Sequence, residues 1–285
     1  MIVQMTMTRN ESFLLKEMLP IWANYADGFV FFDDDSTDDT REFLENNKEK
    51  YNILSIISRM DDITGVLKIE SDIRQELYNE ALKHSNMIIC MDSDEYLESV
   101  ITKEQLEKVL SQEANCTYYL KWVQYTDKYN VRVDGGWKDN MTDRIGKYDN
   151  PMIYPPRQMH SLHMPQTPNY RIFPPEIMYI AHLQWIDKRR VGIKQYFWKI
   201  TDYVNKLLHN ADVVGKEAYD NSVNNFDWEY EKALKPLRIN ADIFSIQDIE
   251  KNDRLEFIKK YTKLYNIPNL GDWGLGIHDS CSLDK

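Results

Sequence analysis

The chain has 285 residues, of which 42% are hydrophobic and 12% aromatic, enough for a large α/β domain with an extension and too many for a disordered chain. Its net charge of −11 argues against a nucleic acid or an anionic membrane as the main partner. The three cysteines are widely spaced and give no metal-ligand pair or disulfide framework. We see no basic leader and no apolar run that could span a bilayer, so we expect a cytoplasmic protein without an integral membrane segment.

The first part of the chain alternates predicted strands and helices. The continuous apolar run from Phe29 to Phe32 is typical of a parallel strand covered on both faces, and Thr102 with Gln105 forms a capping box that starts a helix. In chain order, we predict strands at about 1–7, 29–32, 53–57, 87–91 and 118–125, and helices at about 11–25, from Ser36 or Thr37, at 71–84 and at 102–112. This order indicates an α/β fold, a Rossmann-like, mostly parallel sheet with helices on both faces.

The alternation stops after residue 126. Residues 127–177 are polar and rich in proline, so we expect long loops with short strands at most, and such a long irregular stretch is usually functional. A strand at about 176–185 and helices at about 193–207 and 246–265 follow. We therefore divide the chain into a core domain of residues 1–200 and a helical C-terminal extension of residues 201–285.

Two clusters of carboxylates follow two of the predicted strands. The first lies in GFVFFDDDSTDDT, residues 28–40, and the second in NMIICMDSDEYL, residues 86–97. Because parallel strands end at one edge of a sheet, where such sheets bind ligands, we expect the clusters to lie close together. Asp92 and Asp94 leave an extended chain on the same side, which suits Mn²⁺ or Mg²⁺ with room for phosphate oxygens. Two solvated loops remain the alternative.

The stretch FFDDDST has two further interpretations. Asp33, Asp35 and Thr37 fit the D-x-D-x-T signature of haloacid-dehalogenase-type phosphatases, in which Asp33 would be the nucleophile. Such an enzyme needs a second acidic pair, for which NLGDWGLGIHD, residues 269–279, is the candidate. The second interpretation is a calcium loop with ligands at Asp34, Ser36, Asp38 and Glu45, although Asp39 occupies its glycine position.

Four segments together resemble the family 2-like glycosyltransferases of GT-A fold. In chain order they are TRNESFLLKEML, FVFFDDDSTDDTREFL, SDIRQELYNEAL and MIICMDSDEYL, and AHLQWIDKRRVGIKQYFWK is similar to a later segment of that family. The resemblance covers residues 1–126 and 178–199 and is poor between them. It implies a nucleotide-sugar-binding half at 1–126, and acceptor loops with a late strand and helix at 127–200. The implied activity is a metal-dependent, inverting transfer of a sugar from a nucleotide donor to a hydroxyl of a glycan acceptor, as in polysaccharide biosynthesis.

The resemblance also assigns roles to residues. A carboxylate that accepts from a uracil N–H favours UDP as the nucleotide. The nucleotide-sugar contacts are Thr8, Arg9, Glu11, Asp33, Asp34, Arg74 and Asp92, and the ligands of Mn²⁺ or Mg²⁺ are Asp92, Asp94 and His182.

The general base that an inverting transfer needs is not fixed by the sequence. Many relatives carry an acidic residue directly after a histidine in the loop before the late strand, whereas Met164 follows His163 here. The candidates are Asp143, His163 and Glu176, of which we favour Asp143. The missing acid also leaves open a catalytically silent protein that binds a nucleotide sugar.

Overall fold

The computed structural model describes residues 1–58, 70–157, 160–209, 219, 227–244 and 253–264. Contacts divide the chain into two compact units, which we call the first unit (1–124 and 135–183) and the second unit (125–134 and 184–285). Within the described residues, no helix combines the length and the apolarity needed to cross a bilayer. Residue 200, at which we divided the sequence into a core domain and an extension, lies inside a helix of the second unit. The division at this residue stays a prediction.

The predicted strands of the first 126 residues are found with their ends shifted by at most two residues. In chain order the elements are β1 (Val3–Thr8), α1 (Ser12–Trp22), β2 (Gly28–Asp33), α2 (Thr40–Asn46), α3 (Lys48–Tyr51), β3 (Ile53–Ile57), α4 (Glu70–Leu82), β4 (Met87–Cys90), β5 (Glu95–Ser99), α5 (Lys103–Ser111), β6 (Cys116–Gln124), β7 (Asn130–Arg132), β8 (Met141–Lys147), β9 (Asn169–Ile172), β10 (Met178–His182), α6 (Lys188–His209), β11 (Tyr230–Lys232) and α7 (Asp253–Leu264). Of the predicted helix at 246–265, residues 246–252 and 265 lie outside the described residues.

Nine of the described strands form one sheet in the first unit. Its order is β3-β2-β1-β4-β8-β6-β10-β5, with β9 paired to β6. The neighbours from β3 to β4 are parallel, as are β6 with β9 and β10, whereas β8 and β5 run antiparallel to their partners. The predicted class, a mostly parallel α/β sheet with flanking helices, is confirmed. The simple alternation is wrong, because β5 follows β4 directly and β8 enters the sheet from the stretch predicted as loops.

Both faces of β2 are covered, as its apolar run predicts. Phe29 and Phe31 lie 6.3 and 6.4 Å from the ring of Trp22 in α1. Val30 and Phe32 point to the opposite face and belong to a core cluster with Leu77 of α4. Side chains of a strand alternate between faces, so β2 is held between α1 and α4 and its end is fixed in position.

The carboxyl ends of several strands meet at one edge of this sheet. Thr8 at the end of β1 is in register with Asp33 at the end of β2, and β4 is parallel to β1. Strand β8 is antiparallel to both β4 and β6, so β6 runs in the same direction as β4. Strand β10 is parallel to β6 and shares this direction. The residues after β1, β2, β4 and β10 therefore leave the sheet at the same edge.

Candidate functional site

The loops after β1 and β2 are tied together by Asn10. The backbone N–H of Asn10 donates to Ser36 Oγ at 3.0 Å, and its Oδ1 accepts from the N–H groups of Thr37 and Asp38 at 2.6 and 3.3 Å. Because the Ser36 hydroxyl and the N–H groups of Thr37 and Asp38 already bond to Asn10, they do not form the first hydrogen bonds of a helix. The predicted helix start at Ser36 or Thr37 is therefore wrong, and the N-cap residue is Asp39.

The first acidic cluster places two carboxylates at the end of β2. Asp33 is buried, and its Oδ1 accepts from the N–H of Ser36 at 3.2 Å. The N–H of Asp34 donates to the carbonyl of Thr8 at 2.9 Å, and Arg9 Nη1 donates to the carbonyl of Asp34 at 2.8 Å. The structure thus brings together Thr8, Arg9, Asp33 and Asp34, as predicted. Each of the hydrogen bonds that hold them involves at least one backbone group.

The next residues of the cluster have different surroundings. Asp35 is exposed and has φ 53°, in the left-handed region that favours glycine. Thr37 is also exposed, so the two acids of the phosphatase signature, Asp33 and Asp35, differ in burial. The second acidic pair of that interpretation, in residues 269–279, lies outside the described residues. Glu11 is buried and precedes α1, where its N–H donates to Thr40 Oγ1 at 2.9 Å.

The second cluster is surrounded by basic side chains. Asp92 is partly exposed (31%), with Oδ1 3.3 Å from Arg74 Nη2 and Oδ2 3.5 Å from Arg144 Nη2 and 3.6 Å from His163 Nε2. The low-dielectric surroundings oppose ionisation of Asp92, but the charges of Arg144 and Arg74 outweigh this and hold its pKa well below its usual range. Asp92 is therefore a carboxylate with cationic partners on both sides.

Arg144 connects this cluster to the neighbouring Glu95. Both side chains are fully buried, and Arg144 Nη2 donates to Glu95 Oε1. Trp122 Nε1 donates to the same oxygen at 2.7 Å, and the N–H of Asp92 donates to Glu95 Oε2 at 3.0 Å. Within the described residues, Arg144 Nε and Nη1 have no hydrogen-bond partner. Arg144 thus keeps two buried donors beside the carboxylates.

His182 faces Asp94 in an orientation that its neighbours fix. Gln124 Nε2 donates to the carbonyl of Trp122 at 3.1 Å, so its Oε1 is the atom that lies 2.6 Å from His182 Nδ1. Because an amide oxygen only accepts, Nδ1 carries the proton and Nε2 of a neutral His182 presents a lone pair. That Nε2 lies 3.7 Å from Asp94 Oδ1, and both residues are buried. Trp122 stacks on the imidazole at 4.5 Å.

This pair fits one side of a metal site. The described residues contain no group of three His, Cys, Asp or Glu that would hold a metal on protein ligands alone. Mn²⁺ and Mg²⁺ sites that also hold a substrate phosphate need only one or two protein ligands. Asp94 Oδ1 and His182 Nε2 meet that requirement, and the hydrogen bond from His182 to Gln124 is the usual support of a ligating histidine. Asp92 fits less well because arginines surround it.

Two of the three predicted bases lie together. His163 Nδ1 is 3.4 Å from Asp143 Oδ1, and Asp143 Oδ2 accepts from the N–H of Met164 at 3.0 Å. Burial opposes ionisation of Asp143, but the hydrogen bonds from His163 and the N–H of Met164, with the nearby charge of Arg144, together outweigh it and lower its pKa. Glu176 is exposed and precedes β10, at the end of the strand opposite to His182, so the structure does not bring it to the cluster.

Residues that the sequence did not assign complete the site. Arg144 and Gln124 come from β8 and β6, and Asn10 organises the first pair of loops. Only Asn10 had a local signal, since it lies in the segment TRNESFLLKEML quoted above. Arg144 lies in the stretch predicted as loops, so nothing in its neighbourhood indicated burial.

Comparison with known proteins gives limited information. No protein-family model matches the chain, and no curated protein matches it. Among solved structures, it is similar to S. aureus TarS 1–349 in complex with UDP, at 14% identity over 92% of this chain and 80% of that one, with a TM-score of 0.40. It is also similar to the mannosyltransferase PcManGT from Pyrobaculum calidifontis in complex with GDP-Man and Mn²⁺, at 11% identity over 98% and 78%, with a TM-score of 0.40. At these TM-scores neither likeness supports an inference about activity.

Proposed function

We propose that this protein is a metal-dependent, inverting glycosyltransferase that moves a sugar from a nucleotide-sugar donor, most simply a UDP-sugar, to a hydroxyl of a glycan acceptor. The observation that carries the proposal is that Asp33, Asp94 and His182 lie at or after the carboxyl ends of β2, β4 and β10, at one edge of the sheet, with Asp94 and His182 3.7 Å apart. Ligands of open α/β sheets bind at this edge. The family resemblance of the sequence gives the same residues matching roles.

In this proposal the first acidic cluster receives the nucleoside. The carboxylates of Asp33 and Asp34 accept hydrogen bonds from the base and the ribose, with Thr8, Arg9 and Glu11 around them. Asp33 is prepared for this role because the N–H of Ser36 already holds its carboxylate in place. A hydrogen bond to a charged acceptor contributes about 1.5–3 kcal/mol, enough to select one base over another.

The second cluster receives the diphosphate. Asp94 and His182 would hold Mn²⁺ or Mg²⁺, with Asp92 as a further contact beside the two arginines. When bound, such an ion supplies positive charge that stabilises the leaving nucleoside diphosphate. Arg74 and Arg144 place two further positive charges beside Asp92, which favours a polyanion at this cluster.

The base of the reaction is assigned to the pair His163 and Asp143. Asp143 is fixed by the N–H of Met164 and lies beside His163 Nδ1, so it positions the imidazole. The imidazole would take the proton of the acceptor hydroxyl as the new glycosidic bond forms. By the sequence resemblance, His163 matches the histidine that an acidic residue follows in many relatives. Glu176 is not included, because it is at the other end of β10.

The test is thermal unfolding with UDP, GDP or CMP, each with and without Mn²⁺. A ligand present at about 100 times its dissociation constant stabilises the folded state by roughly 2.7 kcal/mol, which raises the midpoint by several degrees for a chain of this size. We expect a Mn²⁺-dependent shift with UDP that disappears in Asp94→Asn. The control is Asp72→Asn, because Asp72 is exposed on α4 and should leave the shift unchanged.

Other outcomes separate the alternatives. No shift with any nucleotide would contradict the transferase and favour the phosphatase, in which Asp33→Asn abolishes turnover of a phosphomonoester. A shift with UDP and Mn²⁺, but no transfer from any UDP-sugar to any glycan, would favour the silent binding protein.

A further inference from the structure

The second unit contains a cavity of its own, of about 360 Å³. It is formed by the segment before β7, the residues that lead into α6 and the strand β11, and Trp185, Trp228 and Tyr230 contribute its aromatic surfaces. Small-molecule sites usually measure about 300–1,000 Å³, so the cavity has room for a ligand of one or two rings. None of its lining residues belongs to the first unit.

A buried arginine makes the aromatic wall rigid. The guanidinium of Arg132 lies 4.3 Å from the ring centre of Trp185 and 4.9 Å from that of Trp228, and the two indoles meet edge to face at 5.3 Å. Arg132 is also held by Asp134 through two hydrogen bonds, of 2.7 and 2.5 Å. Cation–π and ion-pair contacts of this kind fix the indoles before any ligand arrives.

The opposite part of the lining is polar and equally fixed. Asp127 accepts hydrogen bonds from the N–H groups of Tyr129 and Asn130, and from Asn130 Nδ2 at 2.7 Å. This last bond orients the Asn130 amide, so its Oδ1 is the remaining acceptor. Burial opposes ionisation of Asp127, but the hydrogen bonds from Asn130 and from the N–H of Tyr129 together outweigh it and lower its pKa. Lys188 also lines the cavity and places its ammonium 5.3 Å from the Trp228 ring.

We infer that this cavity binds a neutral saccharide ring. A sugar ring has an apolar C–H face that packs on an aromatic ring, here the exposed ring of Tyr230, and hydroxyls that both donate, to Asp127 and Asn130, and accept, from Lys188. An organic cation is disfavoured because Arg132 and Lys188 already lie over the indoles. The Asp127 carboxylate disfavours an anion. A purely apolar ligand would leave the polar lining without partners, which costs free energy.

Tyr230 is the residue through which this inference is tested. Its side chain is 47% exposed, so its replacement should not affect folding, unlike that of the buried Trp185. The full-length protein is titrated with methyl glycosides of neutral hexoses and N-acetylhexosamines, by saturation-transfer NMR and calorimetry. We expect binding of at least one glycoside, weakened about tenfold in Tyr230→Ala, the upper end of an aromatic contact. Tyr230→Phe keeps the ring and should keep most of the affinity.

The matched control is Tyr129→Ala. Tyr129 is also an exposed tyrosine of the second unit (52%), but it does not line the cavity, so its removal should leave glycoside binding unchanged. Equal loss in both variants, absence of binding by every glycoside, or tighter binding of choline or glucuronate would overturn the inference. The inference does not depend on the proposed transferase, whose test uses UDP, Mn²⁺ and Asp94 of the first unit, so the two can fail separately.

Discussion

The two acidic clusters look alike in sequence but are held in different ways. The first is fixed mainly by backbone hydrogen bonds, because Asp33 accepts from the N–H of Ser36 and the N–H of Asp34 donates to the carbonyl of Thr8. The second is fixed by charged and ionisable side chains, since Asp92 lies among Arg74, Arg144 and His163. A run of carboxylates at a strand end can therefore belong to a loop held by backbone hydrogen bonds or to a buried ionic network.

This difference determines what a substitution should change. In the first cluster, neutralising a carboxylate removes a possible ligand contact and little else. In the second cluster, removing an arginine leaves buried carboxylates without their partner, which lowers the free energy of unfolding. Predictions on the two clusters therefore separate binding from stability.

The largest expected effect is that of Arg144→Met. The substitution keeps a long side chain but leaves Glu95, fully buried, without its cation. Breaking a buried pair in this way costs about 3–5 kcal/mol of the free energy of unfolding, measured by denaturant titration. Arg171→Met is the control, because Arg171 is exposed and its pair with Glu113 should contribute no more than about 1 kcal/mol. Equal losses in the two variants would contradict the ionic network.

The next effect concerns the support of His182. Gln124→Leu removes the acceptor of the Nδ1 proton, so the histidine no longer has a fixed tautomer and orientation. In the proposed site, Mn²⁺ affinity in the presence of UDP should fall about 10- to 100-fold by calorimetry. Gln124→Glu retains an acceptor for that proton and should keep most of the affinity. Unchanged affinity in Gln124→Leu would mean that His182 does not ligate the ion.

A smaller effect is expected at the first cluster. Asp33→Asn should weaken UDP binding about tenfold, because a charged acceptor is replaced by a neutral one, while the free energy of unfolding changes little. Asp35→Asn is the control, since Asp35 is exposed. Calorimetry with UDP and Mn²⁺ measures the UDP affinity of both variants. A large loss of stability in Asp33→Asn with normal UDP binding would contradict the claim that the first cluster serves binding and not stability.

The smallest effect is a pH dependence at Asp39. The hydrogen bond from Ser12, followed by that from Lys16, lowers the pKa of Asp39 below its ordinary value. Its contribution to stability is therefore complete above the unfolded-state pKa of about 3.9 and is lost as the pH falls through the lower folded-state pKa. Because the side chain is half exposed, Asp39→Asn should cost at most about 1 kcal/mol at neutral pH. Denaturation at several pH values should show the difference shrinking in acid, and a growing difference would contradict the assignment.

The sequence predicted those parts of the fold that depend on local pattern. The apolar run of β2 and the capping box at Thr102 and Gln105 are short-range signals, and both were confirmed. That the two clusters follow strands ending at the same edge of the sheet was predicted from the parallel direction of the strands alone. Such signals need no knowledge of distant partners.

Strands β5 and β8 were missed for the opposite reason. In β8, the sequence MTDRIGK reads as polar, yet its Asp143 and Arg144 are buried because they pair with His163 and Glu95. Charge compensation across about 20 to 50 residues leaves no trace in hydrophobic periodicity. The same is true of β5, which begins with the buried Glu95. Strands β5 and β8 therefore supply Glu95, Asp143 and Arg144 to the ionic network of the site.

The most direct test of the proposed metal site is Mn²⁺ binding in the presence of UDP, measured through the electron paramagnetic resonance signal of free Mn²⁺. We predict that the wild-type protein and Asp72→Asn remove this signal when UDP is added, whereas Asp94→Asn and His182→Ala do not. Removal of the signal by Asp94→Asn and His182→Ala as effectively as by the wild type would contradict the assignment of the metal to this pair.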